Sequence, residues 1–290
     1  MALVKNTVLP DKFTLNADES SFYRKHTGIQ DEGKLKEHIT QVAERAFEVY
    51  PYVCLRIFGF LRFRILRSPG YKRLLELGST RQNALFLDLG CCFGNDIRKA
   101  IEDGFPAENI IGSDLQADFW RFGHDLFKSN PSTFSVAFIP GDVFDGSFIS
   151  LQPPLKIIPP EESISLHSLV QADVKSLNPL RGHLSAIHTS AFFHLFRKDE
   201  QVIIGKKLLY LLSPLPGSII FGSQVGAHEP QEVVNQTKGM LRYKHSPKSW
   251  KDMWEQEVFD TEEKRVFQVE AGFGDDHEEG YWLWWIVTRL

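Results

Sequence analysis

Three aspartates end three successive apolar runs: Asp88 in FLDLG, Asp114 in NIIGSD and Asp142 in FIPGD. A carboxylate there can accept hydrogen bonds from hydroxyls or amines, or balance a cation. After the first run, DLGCCFGND carries Gly90 and Gly94 into a helical pattern. Gly90 lets the chain turn sharply, Gly94 lets it approach a ligand, and the helix start presents unpaired N–H groups. Asp114 follows Gly94 at about the 20-residue spacing of a carboxylate that takes ribose hydroxyls. Asp142 is placed to reach an adenine amino group, with Val143 and Phe144 beside the ring. The loop is G-x-x-x-G, so a dinucleotide fingerprint is incomplete; a monocationic ligand without phosphate suits Asp88.

Cys91 and Cys92 are adjacent, and no C-x-x-C or clustered-histidine pattern accompanies them. Structural zinc needs four such ligands. No metal is expected, and the two cysteines read as small apolar filler. Further along, HTSAFFHLF (188–196) offers His194 as a general base for a hydroxyl or thiol acceptor, or as a helix-capping histidine. Phe192 and Phe193 can wall an acceptor pocket or pack the core. Gln224 and His228 follow the fifth apolar run and either face the same crevice or lie in the loop.

The elements that position these residues alternate. Apolar runs at 84–90, 109–114, 134–142, 184–193 and 216–226 read as buried strands. NDIRKAIED, ADFWRFGHDLFK (117–128) and residues 198–212 read as the helices between them. Strand–helix alternation with short links implies a parallel sheet. A Pro-rich insertion (151–162) precedes a helix near 163–176. A helix at 246–259 leads to two closing strands, 264–271 and 281–290, which pair antiparallel through GFGDDHEEG. Before residue 80 the texture is helical. The pattern predicts helices over 33–51, 53–66 and 71–77 behind a polar arm at 1–32.

The chain has 290 residues, 42% hydrophobic, with a formal net charge of -4. That supports a large buried core and gives no basic field for nucleic acid. Three cysteines and no apolar leader fit a reducing, cytoplasmic location. YVCLRIFGFLRFRIL (52–66) is broken by Arg56, Arg62 and Arg64, too short for a membrane span. It reads as a core helix with snorkelling arginines.

The series LFLDLGCCFGND, IIGSD and IPGDVF resembles the motifs of S-adenosylmethionine-dependent methyltransferases with the Rossmann-like fold. DLGCCFGNDIRK with IHTSAFFHLF is similar, more narrowly, to fungal methyltransferases of meroterpenoid and other secondary-metabolite pathways. The resemblance implies a seven-stranded, mostly parallel sheet with an antiparallel C-terminal pair and helices on both faces. It implies an N-terminal helical lid over residues 1–80 and a cofactor-binding unit over 81–290. Its cofactor set falls on Asp88, Gly90, Cys91, Gly94, Asp114, Leu115, Asp142, Val143 and Thr189. On the acceptor side it suggests Tyr23, Tyr52 and Arg56 in the lid, with Phe192, Phe193, Gln224 and His228. The double cysteine departs from the broad family's G-x-G-x-G loop.

The function expected is methyl transfer to an oxygen, carboxylate or hydroxyl, of a small metabolite. N- or C-methylation and a non-catalytic cofactor-binding protein remain alternatives. The missing G-x-G-x-x-G and Tyr-x-x-x-Lys patterns weigh against a nicotinamide oxidoreductase, and HTSAFF replaces the N-P-P-Y element of nucleic-acid methylation. The acceptor's identity and the oligomeric state are open.

Overall fold

The computed structural model describes residues 7–157, 166, 174–234, 239–274 and 281–290. Its main sheet has seven strands in the order β3-β2-β1-β4-β5-β9-β8. These are β1 (Leu85–Leu89), β2 (Ile110–Ser113), β3 (Ala137–Phe138), β4 (Leu184–His188), β5 (Ile219–Val225), β8 (Phe267–Phe273) and β9 (Trp282–Arg289). β1 to β5 are parallel, and β9 runs antiparallel to both β5 and β8. The strand order reverses between β1 and β4, which opens a crevice at their C-terminal ends.

All five residues of β1 are buried, as expected of a central strand covered on both faces. Its side chains alternate between two cores. Phe86, with Ile110, Ala186 and Ile219, packs under α4 (Gly70–Thr80) and α5 (Asn95–Glu102). Leu87, with Ile111, Ile187 and Ile220, packs under α7 (Lys198–Leu211) and α8 (Pro247–Met253). A third core joins α1 (Ala17–Thr27) and α2 (Glu32–Val49) to α6 (Ala117–Leu126) and to Phe93 of the glycine loop.

The expected arm is therefore in part a packed helix. Asn16 and Glu19 form a reciprocal capping box at the start of α1, and Phe22 and Tyr23 are buried. The signal N-x-x-E was present in the sequence. The helix expected over 53–66 is broken into α3 (Val53–Arg56) and two short 3₁₀ turns, Gly59–Leu61 and Arg64–Arg67. Phe58, Phe60, Leu61, Phe63 and Ile65 are all buried, which no single helical stripe can achieve. The chain unwinds at Phe58, whose φ is 58°.

β3 is only two residues long, since Pro140 has no N–H for the ladder. The closing strand begins late: Glu263–Val266 is a helical turn before β8. The helix expected near 163–176 falls almost entirely outside the described residues, as does the tip of the acidic loop. The pattern also missed a separate hairpin, β6 (Gln231–Val234) with β7 (Leu241–Lys244), between β5 and α8. Among the described residues, no helix is long and apolar enough to cross a membrane.

Candidate cofactor and acceptor site

The glycine loop turns where expected. Gly90 and Gly94 have φ of 78° and 73°, and Cys92 between them also adopts a left-handed φ of 52°. That conformation is costly for a residue with a Cβ. The close approaches that demand glycine are to aromatic rings. A Cβ on Gly90 would lie 2.8 Å from Phe192, and one on Gly94 would lie 2.9 Å from Trp120. Cys91 is buried against the β2 side of the loop, and burial pushes its thiol up.

Asp114 fastens this loop to β2. Its Oδ2 accepts the Cys92 N–H at 2.9 Å and its Oδ1 accepts the Gln116 N–H at 2.9 Å. Burial raises its pKa to about 6. Each oxygen keeps a second lone pair for another donor. Leu115, the next residue, is 55% exposed and Phe144 is 37% exposed. Asp142 is exposed and receives the Phe144 N–H at 2.9 Å, while Val143 is buried. Lys207 of α7, a residue with no mark in the sequence, is buried and donates to the Val143 carbonyl at 2.7 Å. It pins this turn from below.

Asp88 is paired rather than free. Its Oδ1 lies 2.7 Å from His188 Nδ1, and His188 Nε2 lies 2.7 Å from Ser190 Oγ. Asp96, in the first turn of α5, stands in the same group: burial raises its pKa to about 7, with Asp88 adding to the rise. Neither His188 nor Asp96 stands out in the sequence, although both lie within the motifs HTSAFF and DLGCCFGND. Thr189 is buried beyond His188, and its Oγ1 has no partner among the described residues.

At the end of β4, two adjacent phenylalanines point apart. Phe192 lies over Gly90 and against Phe196, ring centroids 5.1 Å apart. Phe193 is wholly buried between Trp250 and Trp285, so it is core and not a pocket wall. His194 follows on a 3₁₀ turn (Phe193–Leu195), with Nδ1 buried and without a partner among the described residues. Burial, then the charges of Arg242, Lys244 and Arg64, lower its pKa to about 3. β7 docks on this turn through the Tyr243 N–H to the Phe196 carbonyl, 3.0 Å. Arg242 and Lys244 alternate along that strand and so share a face. This period-two signal, L-R-Y-K, was in the sequence.

Gln224 is 1% exposed, and both polar atoms of its amide lack partners among the described residues. Tyr52 stacks edge-on to Phe119, and burial, then Asp114, raises its pKa. Tyr23 is wholly buried: its hydroxyl donates to the Leu61 carbonyl at 3.1 Å and accepts from Asn95 Nδ2 at 2.9 Å. It ties the N-terminal helical region to α5 and presents no surface to an acceptor. Arg56 holds the N-terminal segment by its carbonyl, which accepts the Leu9 N–H at 2.8 Å. His228 is exposed, its ring against Tyr281 and Phe273 rather than beside His194.

Residues 9–61 match the family model "Meroterpenoid methyltransferase N-terminal domain". Along the whole chain there is 30% identity to the Asnovolin E/Chermesin D methyltransferase nvfJ of Aspergillus novofumigatus, covering 100% of this chain and 96% of that one. The methyltransferase prhM of Penicillium brasilianum is 32% identical, over 84% of this chain and 77% of its own. The O-methyltransferase phiE of a fungal species is 34% identical, over 78% of this chain and 66% of its own. With its reversed strand order, glycine turn and strand-end acids, the chain belongs to the fungal secondary-metabolite methyltransferases, enzymes that move a methyl group from S-adenosylmethionine to a small molecule.

Proposed function

We propose that the acceptor atom is a carboxylate oxygen of a secondary metabolite and that the product is its methyl ester. One observation carries this reading: β7 docks beside the His194 turn through the Tyr243 N–H and the Phe196 carbonyl, 3.0 Å, and carries on one face Arg242 and Lys244, whose charges, after desolvation, help hold the half-buried His194 neutral. A base with a pKa of about 3 has little drive to take a proton at neutral pH. A carboxylate needs no base, since it is already ionised, and it suits a cationic surround. His194 then acts as a neutral wall or hydrogen-bonding group, not as the expected general base.

The residues present fit the cofactor. Leu115 and Phe144 leave apolar surface exposed beside buried Asp114 and exposed Asp142, a combination that suits an adenine site. Thr189, just past the end of β4, keeps a buried hydroxyl without a partner among the described residues. When bound, S-adenosylmethionine supplies a methyl group on a cationic sulfur. On this reading Asp114 uses its remaining lone pairs for the ribose, and Leu115 and Val143 flank the adenine with Asp142 at its edge. Gly90, Cys91, Gly94 and Thr189 line the methionine portion, with Asp88 behind it. Phe192 and Phe196 exclude water from the transfer line, and residues 1–80 serve as the lid over 81–290. Arg242 and Lys244 align the acceptor carboxylate, and the Gln224 amide and Tyr52 take its neighbouring oxygens. Alignment and desolvation are the protein's main contributions, since no proton has to move.

The test is chemical. The enzyme is incubated with methyl-labelled S-adenosylmethionine and a panel of terpenoid acids and their alcohols, and each product is treated with mild alkali. A label on the acids that is released as methanol supports the ester. A label confined to alcohols, or stable to alkali, would overturn it.

A further inference from the structure

Gln201 stands on the buried face of α7, in line with Ile204, Leu208 and Leu211, and is wholly buried itself. An amide in such a place is costly unless it is hydrogen-bonded. Its Nε2 donates to two backbone carbonyls, those of Phe196 and Tyr243, each at 3.0 Å. Its Oε1 has no partner among the described residues. Two carbonyls face the amide and only its nitrogen can donate, which fixes the way the group points.

The two carbonyls come from different parts of the cleft. Phe196 caps the 3₁₀ turn after β4. Its ring packs against Phe192, which lies over Gly90, and against Phe144, with centroids 5.1 and 5.3 Å away. Tyr243 stands in β7 between Arg242 and Lys244, opposite Glu232 of β6. Alternate residues of an antiparallel pair turn both backbone groups away from the partner strand. The Tyr243 N–H reaches the Phe196 carbonyl at 3.0 Å, and its carbonyl takes Gln201, so both groups dock outside the hairpin. Holding that peptide sets where Arg242 and Lys244 leave the strand, on the face opposite the Tyr243 ring. A separate tie, the Ala227 N–H to the His245 carbonyl at 2.9 Å, keeps the end of β7 attached when the first is weakened.

We propose that Gln201 is a positioning residue for methyl transfer, whose amide sets the distance between the Phe192–Phe196 turn and the strand that carries Arg242 and Lys244. The inference rests on the acceptor role proposed for those two cations. Gln201 itself acts only through them and meets neither cofactor nor acceptor. Transfer needs the acceptor in line with the methyl group, and a misplacement of about 1 Å can cost roughly 100-fold. One amide that spans both sides of that line therefore has leverage on rate without any role in binding the donor.

Two variants test this. Gln201→Met keeps the length of the side chain and removes both donors, and Gln201→Glu keeps its shape and puts an acceptor in their place. The acceptor is whichever terpenoid acid of the panel takes the label best. In both variants kcat/KM for that acid should fall by about tenfold or more, while calorimetry should find the affinity for S-adenosylhomocysteine within about twofold of wild type. Deuterium exchange should quicken over residues 241–244 and stay unchanged over 85–89. In an Arg242→Ala/Lys244→Ala background, Gln201→Met should lower kcat/KM by less than about twofold more, since nothing is left to position. Unchanged kcat/KM, or unchanged exchange over 241–244, would overturn the proposal. So would loss of S-adenosylhomocysteine binding in both variants, which would make Gln201 a support of the whole fold. A full further loss on top of an impaired Ala/Ala background would sink Gln201 alone. An Ala/Ala background with wild-type kinetics would remove the acceptor role of the two cations, and this proposal with it.

Discussion

Asp88 and His188 face each other across the β1–β4 register, 2.7 Å apart, with both side chains buried. Burial alone would lower the His188 pKa, but the Asp88 charge and hydrogen bond outweigh it and the pKa ends above the ordinary histidine value. A base whose folded pKa is raised gives stability that is complete below about pH 6.5 and lost as pH rises through the folded value. His188→Ala also strands a buried carboxylate, a loss of about 3–5 kcal/mol. Urea denaturation should show that loss in full at pH 6, with a smaller gap between variant and wild type at pH 8. A gap that widens with pH would contradict the sign.

Cys92 invites a comparison between two small replacements. Both Gly and Ala remove the thiol that packs against the lid core, so that loss cancels. Only Gly relieves the left-handed backbone at φ 52°. Cys92→Gly should be more stable than Cys92→Ala by about 1 kcal/mol. Thermal melts of the two variants at one pH measure this directly, and an Ala variant as stable as the Gly one would mean the loop relaxes without strain.

Asp114 carries structure as well as a proposed ribose contact. Asp114→Ala removes the acceptor of the Cys92 and Gln116 N–H groups and should lower the melting temperature. It should also weaken S-adenosylhomocysteine by about 1.5–3 kcal/mol, the scale of hydrogen bonds to a charged group. Asp114→Asn keeps one side-chain oxygen and should recover part of both losses. An Ala variant that melts and binds like wild type would place both functions elsewhere.

For the acceptor, Arg242→Ala and Lys244→Ala should raise KM for a carboxylic acid acceptor by about 10-fold or more while the affinity for S-adenosylhomocysteine stays within about twofold. Steady-state kinetics and calorimetry separate the two quantities. Loss of cofactor affinity in either variant would move those side chains to the other half of the cleft.

The strand ends and turns proposed for the cofactor were legible because their signals are local. Asp88, Gly90, Gly94 and Asp114 sit at strand ends and turns, where apolar periodicity changes, and the fold put them there. The acceptor half was less legible, since it depends on direction. Phe192 and Phe193 are indistinguishable in text, yet one covers Gly90 and the other lies between two tryptophans. Tyr23 reads as a lid aromatic, but its hydroxyl is spent on Leu61 and Asn95. The β6–β7 hairpin has little apolar alternation, because most of its side chains are exposed or half-buried. Lys207 is one lysine among the apolar residues of α7, and nothing local foretells that it holds the Val143 carbonyl.

That hairpin has a consequence for how new specificities arise. Among the described residues β6 and β7 pair only with each other, outside the seven-stranded sheet. A change of length or register there flips Arg242 and Lys244 without shifting any strand that carries the glycine turn or the aspartates. On the acceptor role proposed for Arg242 and Lys244, acceptor choice is mutable at low cost to the shared machinery, so lineages can diverge in what they methylate while inheriting one unchanged donor pocket.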